Sequence, residues 1–290
     1  MTPTCFTVDI RDNIAHIVLS RPEKLNSMNP AFWDELPQIV ADIDDNARAR
    51  VIVISSTGPH FTAGLDLDSF MASDSESADA DKAAITPDPK RHRIKGERFY
   101  QNVKRMQKTF NCLEDSRVPV LVAIQGGCIG GGVDFATACD MRYVSAEAFF
   151  TIYEINIGMT ADVGTFPRLV KLIPEGIVKE LAYTGRRMSA QEAKDVGLVN
   201  HVYETQADML AGVMEIAKEI ASKAPLAIYG CKRMINYSRD HNTADGLDYI
   251  SIWNASMLQS EEMGEAISAK AEKRDGDFVS LSKMNGKWNI

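Results

Sequence analysis

Cysteine is scarce and scattered in this chain: Cys5, Cys112, Cys128, Cys139 and Cys231 are odd in number and show no C-x-x-C spacing. Neither a disulfide framework nor a zinc site is expected, and a reducing compartment is the simplest reading. The five histidines (His16, His60, His92, His201, His241) lack ligand spacing, and no Gly-x-Ser-x-Gly elbow is present. Metal and serine-nucleophile chemistry are therefore poor expectations. No apolar run approaches the ~18–20 residues that cross a bilayer. Met1 to Ile10 already reads as the approach to a strand, so no membrane segment, signal peptide or transit peptide is expected. The final Gly-Lys-Trp-Asn-Ile is neither a peroxisomal tripeptide nor a prenylation box. Positive charge is in deficit: 32 Lys and Arg against 40 Asp and Glu give a net charge of −8. That balance argues against a nucleic-acid binder working through its overall field, while leaving room for a local basic pocket.

With 45% apolar and 25% charged residues, the chain has ordinary globular composition, and its 290 residues suit one large domain or two modest ones. Cys5–Ile10 and Ile14–Leu19 are β-branched runs joined by Arg11-Asp12-Asn13, the pattern of a hairpin. Asn29-Pro30 reads as a cap and first helical residue, with Phe32, Leu36, Ile39, Val40 and Ile43 on one face and Pro37 interrupting the middle. Val51–Ile54 and Pro119–Ile124 are short all-apolar runs of the kind found in strands buried on both faces. A helix through Phe99, Val103, Met106 and Phe110 is expected between them, and further strands at Met141–Val144, Ala148–Ile152 and Leu198–Val202. Ser189-Ala190-Gln191-Glu192 has the form of a capping box, with Gly197 as the helix stop. From Gln206 onward the chain reads as nearly all helical, with starts near Pro225 and Thr243. The pattern is α/β units followed by a helical tail.

Residues 66–98 change character, from seven acids and one lysine to a basic cluster at Lys90–Arg98. A lid and a solvated loop leading into a helix are both compatible with it. Two glycine loops follow buried strands: Phe61-Thr62-Ala63-Gly64-Leu65-Asp66-Leu67, and Gly126-Gly127-Cys128-Ile129-Gly130-Gly131-Gly132. The second lacks the register of a dinucleotide fold or a P-loop. A bare glycine cluster also serves as a tight turn, but two such loops can aim two backbone N–H groups at one oxygen, which is how an oxyanion hole for an enolate is made. Three acids stand out: Asp134 after the glycines, Glu154 in Tyr-Glu-Ile, and Asp162 in Thr-Ala-Asp-Val-Gly. Each also has a plain reading, as helix-start acid, exposed strand-end residue and N-cap respectively. Asp140 is expected to be structural, pairing with Arg142.

The string Pro119–Leu169, with Ala63–Leu67 before it, resembles the crotonase (enoyl-CoA hydratase/isomerase) superfamily. Within it, Gly126–Asp134, Glu154 and Thr160–Thr165 are similar to the Δ3,5-Δ2,4-dienoyl-CoA isomerase branch, as are Tyr237–His241 and Ile252–Leu258. The resemblance implies a crotonase-like spiral of ββα units in residues 1–205 and a helical C-terminal trimerisation region in residues 206–290, with trimers that commonly pair into hexamers. It implies an acyl-CoA thioester substrate, coenzyme A being part of that substrate rather than a cofactor. No metal, no nucleic acid and no membrane insertion are implied. The N–H groups of Leu65 and Gly131 would hold the thioester oxygen, with Ala63, Gly64, Asp66 and Leu67 around the substrate. Glu154, Asp162 and Asp134 would be the catalytic acids. Hydratases of the family carry glutamate at position 134 and glycine near 162, so Asp134 and Asp162 follow the isomerase pattern. Arg21, Lys24 and Lys90–Lys95 are candidates for the coenzyme A phosphates. A mitochondrial or peroxisomal matrix, or a bacterial cytoplasm, would be the setting. The alternatives are an enoyl-CoA hydratase, a Δ3,Δ2-enoyl-CoA isomerase, or a non-catalytic member of the fold binding RNA or a protein through Lys104, Arg105 and Lys108.

Overall fold

The computed structural model describes residues 3–69 and 89–284. The central part of the charged run, residues 70–88, lies outside the described residues, and so does the choice between a lid and a solvated loop there. The chain opens with β1 (Phe6–Arg11) and β2 (Ile14–Leu19), an antiparallel pair in which Arg11 faces Ile14. The turn is therefore only Asp12 and Asn13, both at positive φ (51° and 61°), as a hairpin matching the strand twist requires.

Helix α1 (Pro30–Asp45) starts where expected: the Asn29 side chain accepts the Phe32 N–H. It runs unbroken through Pro37. Proline cannot donate to the carbonyl four residues back, and the Trp33 carbonyl instead accepts the Thr109 hydroxyl at 2.9 Å. Strands β3 (Val51–Ser56) and β4 (Val120–Ile124) flank α2 (Pro89–Asp115) in sequence. On β3 and β4, Ile52, Ile54, Val120 and Val122 join the main core, while Val51, Val53, Leu121 and Ala123 face a second apolar layer. Both faces are covered, which explains the continuous apolar runs. The α2 face begins at Val103, since Phe99 is exposed.

Next come β5 (Gly127–Ile129), α3 (Gly131–Ala138), β6 (Met141–Ser145) and β7 (Phe149–Thr151), then the short helices α4 (Thr165–Leu169) and α5 (Glu175–Thr184). After β8 (Met188–Ser189) and α6 (Ala190–Asp195), the last strand, β9, is only His201–Tyr203; Leu198 and Val199 are buried ahead of it. Ser189 accepts the Glu192 N–H, but the Glu192 carboxylate is engaged by Arg186 rather than returning to the cap. A six-stranded sheet has the order β1-β2-β3-β4-β6-β9, parallel beyond the first hairpin, and a smaller sheet has the order β5-β7-β8.

The helical region comprises α7 (Gln206–Ala221), α8 (Pro225–Asp240), α9 (Thr243–Met257) and α10 (Ser260–Glu272), followed by a non-helical tail. Met209, Val213 and Ala217 of α7 form the second apolar layer on the sheet. Asp140 does not pair with Arg142. Its carboxylate accepts the Val120 N–H and pairs with the buried Lys232 of α8 at 2.8 Å, while Arg142 donates to the carbonyls of Leu198, Cys139 and Ala136. The five cysteines are free thiols. Among the described residues, no helix is long and apolar enough to cross a membrane.

Candidate active site

The two glycine loops are fastened to one another. Thr62 and Cys128 form a parallel bridge, with the Thr62 N–H donating to the Gly127 carbonyl at 3.1 Å and the Ile129 N–H to the Thr62 carbonyl at 3.2 Å. At Gly64, φ is +82°, and a Cβ there would lie 2.6 Å from the Ile129 carbonyl oxygen and 3.3 Å from the Gly131 nitrogen. Only glycine admits this backbone-to-backbone approach. Among the described residues, no acceptor is found for the N–H of Leu65 or for that of Gly131, the first residue of α3. Two unpaired donors thus sit on adjoining loops, one of them at a helix N-terminus, where an anionic oxygen is favoured. The Asp66 carboxylate turns back into its loop: burial opposes its ionisation, but bonds from the Ser69 N–H and the Ser27 hydroxyl outweigh this and hold its pKa below the usual value. Ala63 donates its N–H to the Leu25 carbonyl, and Leu67 is exposed.

The three acids stand near enough to the second loop and to one another for each to feel a neighbour's charge. Asp134, in the first turn of α3, is fully buried; its Oδ1 accepts the Thr165 N–H at 2.6 Å, and its Oδ2 has no partner. It caps none of its own helix. Glu154 lies in a short 3-10 turn after β7, half-buried, and Gly130 gives it room: a Cβ on Gly130 would stand 3.2 Å from Glu154 Oε1. Its Oε2 is buried without a partner. Asp162 is half-buried in the turn before α4, whose N-cap is Gly164, so the capping role expected of an isolated aspartate is not the one it has.

Burial pushes the Asp134 carboxyl up to about 7, and the neighbouring Glu154 charge adds to this against the opposing Thr165 bonds. Glu154 is raised by burial, with Asp162 contributing, and Asp162 is raised by burial. Burial and like charge thus both oppose full ionisation of the three acids. This is a site able to take a proton from one carbon and give one to another beside a stabilised oxyanion.

The enoyl-CoA hydratase/isomerase family model matches residues 9–281. The chain belongs to the enoyl-CoA hydratase/isomerase family. It is 42% identical over 94% of its length to the mitochondrial Δ3,5-Δ2,4-dienoyl-CoA isomerase of Mus musculus, covering 80% of that protein. It is 38% identical over 93% of its length to the peroxisomal Δ3,5-Δ2,4-dienoyl-CoA isomerase of Arabidopsis thaliana, covering 94%. Among solved structures, an enoyl-CoA hydratase from Bacillus anthracis superposes with a TM-score of 0.81 at 29% identity, over 95% of this chain and 99% of that one.

Two further residues hold the acids in place: Thr165, known from the sequence only as the end of the Thr160–Thr165 motif, and Gln107, which has no motif around it. Thr165 supplies the N–H that holds Asp134, and Gln107 donates from Nε2 to the Asp162 carbonyl at 2.7 Å. The only sequence signal for Gln107 is a polar residue beside the apolar face of α2, which is common on any helix.

Proposed function

We propose that this chain converts 3,5-dienoyl-CoA to 2,4-dienoyl-CoA. The C2–H bond breaks as Glu154 takes the proton, and the electron pair spreads through the diene onto the thioester oxygen held by the Leu65 and Gly131 N–H groups. The extended dienolate then takes a proton at C6 from Asp162, leaving double bonds at C2 and C4. Asp134, buried beside them, tunes or orients the two. Ala63, Gly64, Asp66 and Leu67 shape the loop around the thioester. The substrate carries the coenzyme A, and residues 206–290 form the region through which copies assemble. The observation that supports this reading is three carboxyls that feel one another's charge, two with a buried unpartnered oxygen, beside two N–H donors with no acceptor among the described residues.

The test is incubation with a 3,5-dienoyl-CoA, following the ultraviolet absorbance of the conjugated product and solvent-deuterium exchange at C2. Asp162→Asn lowers isomerisation by roughly 10²–10⁴-fold yet leaves C2 exchange in part, whereas Glu154→Gln removes both. Isomerisation at the normal rate in Asp162→Asn, or C2 exchange unaffected by Glu154→Gln, overturns the two-acid assignment. Hydration of a 2-enoyl-CoA without diene isomerisation would move the activity to the hydratase side of the family.

A further inference from the structure

The turn that carries Asp162 is gripped from outside the acids. Gln107, Asn111 and Glu114 stand at i, i+4 and i+7 on α2 and so share one helix face. Gln107 holds the Asp162 carbonyl. Arg168 Nη2 donates to Asn111 Oδ1 at 2.7 Å and its Nε to Glu114 Oε2 at 3.0 Å, a fork that fixes the guanidinium plane. That guanidinium lies against Gly164, where φ is +141° and a Cβ would overlap Arg168 Nη1. The arginine thus fills the space a side chain at 164 would need, two residues from Asp162.

The grip continues outward. Arg239, in the Tyr237–His241 segment at the end of α8, pairs with the other Glu114 oxygen at 2.5 Å and with Asp240 at 3.0 Å, and Asp240 also binds Lys171. A cavity of about 420 Å³ opens between this helix face and the turn, with Asp162, Arg168 and Arg239 in its wall. Ala161 and Val163 anchor the turn in the main core, and polar contacts hold it across this space. The Arg168 and Glu114 side chains are only 11% and 19% exposed, so their pairing is little screened.

We infer that Arg168, locked by Glu114 and Arg239, is a positioning residue that fixes the Asp162–Thr165 turn for proton delivery at C6. This rests on the role proposed above for Asp162. Misplacing a reacting group by about 1 Å can lower a rate by roughly 10²-fold, which sets the scale of the effect.

The test uses Arg168→Met in the full chain. Isomerisation kcat should fall by roughly 10–100-fold with KM changed by less than about threefold, while C2 deuterium exchange stays within about twofold of wild type. Arg168→Lys should recover part of kcat, since it can still pair with Glu114. Independently of activity, amide exchange in the 162–166 segment should rise at least roughly tenfold while β3 and β4 stay protected. If Arg168→Met does not fold, Arg239→Met, at the outer end of the same chain of contacts, serves with the same readouts and a smaller change. Equal losses of isomerisation and C2 exchange, an unchanged kcat, or unchanged exchange in 162–166 each overturn the inference. A wild-type protein inactive on every 3,5-dienoyl-CoA would refute the proposed activity instead, and the amide exchange would still decide whether Arg168 braces the turn.

Discussion

Asp134 is a carboxyl placed out of reach of water, with one oxygen bonded to the Thr165 N–H and the other unpartnered. Its pKa is about 7 in the fold, against a usual 3.8. Between those two values the native state holds a proton that the unfolded chain has released, so this group makes stability fall as pH rises from about 4 to about 7 and adds no slope above. Asparagine cannot ionise but can still accept the Thr165 N–H. Asp134→Asn should therefore be more stable than wild type at about pH 8, by on the order of a few kcal/mol, with the gain vanishing near about pH 4. Melting temperatures of both proteins across that range check this, and a pH-independent difference contradicts it. A site residue that destabilises its fold when ionised is the pattern expected where function opposes stability. In the sequence Asp134 is visible as a candidate, but its orphaned oxygen is not, because burial depends on what the chain folds over it.

Helix α1 (Pro30–Asp45) shows the same limit at the scale of an element. Its start is written locally in Asn29-Pro30, and its buried face in the spacing of Phe32, Leu36, Val40 and Ile43. Pro37 lowers the expectation of a continuous helix because it removes one hydrogen bond. The carbonyl that Pro37 leaves free is satisfied by a donor 76 residues away in sequence, the Thr109 hydroxyl on Trp33. Thr109→Val should cost about 1–3 kcal/mol by leaving that buried carbonyl unpaired. In a Pro37→Ala background, the new alanine supplies a backbone N–H to the same carbonyl, and the cost of Thr109→Val should shrink markedly. Chemical denaturation of the four proteins in the cycle reads the coupling. Equal costs in both backgrounds would show that the threonine stabilises the helix by some other contact.

For the whole molecule, the conspicuous surface is that of the C-terminal helices. Ile235, Leu247, Ile252, Leu258 and Ile267 are all exposed, and Ile267 is 68% so. Trp253 is the exception, half-buried against Tyr229 with its ring centroid 5.1 Å away. So many large apolar side chains on one part of a chain are expected to be covered by another copy. Sedimentation at micromolar concentration should give a trimer or hexamer, and Leu247→Asp with Ile267→Asp should shift it toward smaller species. A wild-type monomer under those conditions refutes this.

Features legible in the chain itself lie within a few residues of one another: the Asp12-Asn13 turn, the Asn29 and Ser189 caps, the doubly buried strands, and the two glycine loops, where Gly64, Gly126 and Gly130 take positive φ. These are set by local sterics and by the period of apolar residues. Which distant groups meet was settled by the packing of the layers. It paired Asp140 with Lys232, 92 positions away in the numbering, rather than with nearby Arg142, and cut the last strand to His201–Tyr203. It brought the Thr165 N–H to Asp134 and the Gly164 turn onto Arg168 and Glu114. The reason is physical: a buried charge or carbonyl takes the partner that topology places within about 3 Å, and that distance is fixed by how the layers pack, not by any neighbour in sequence.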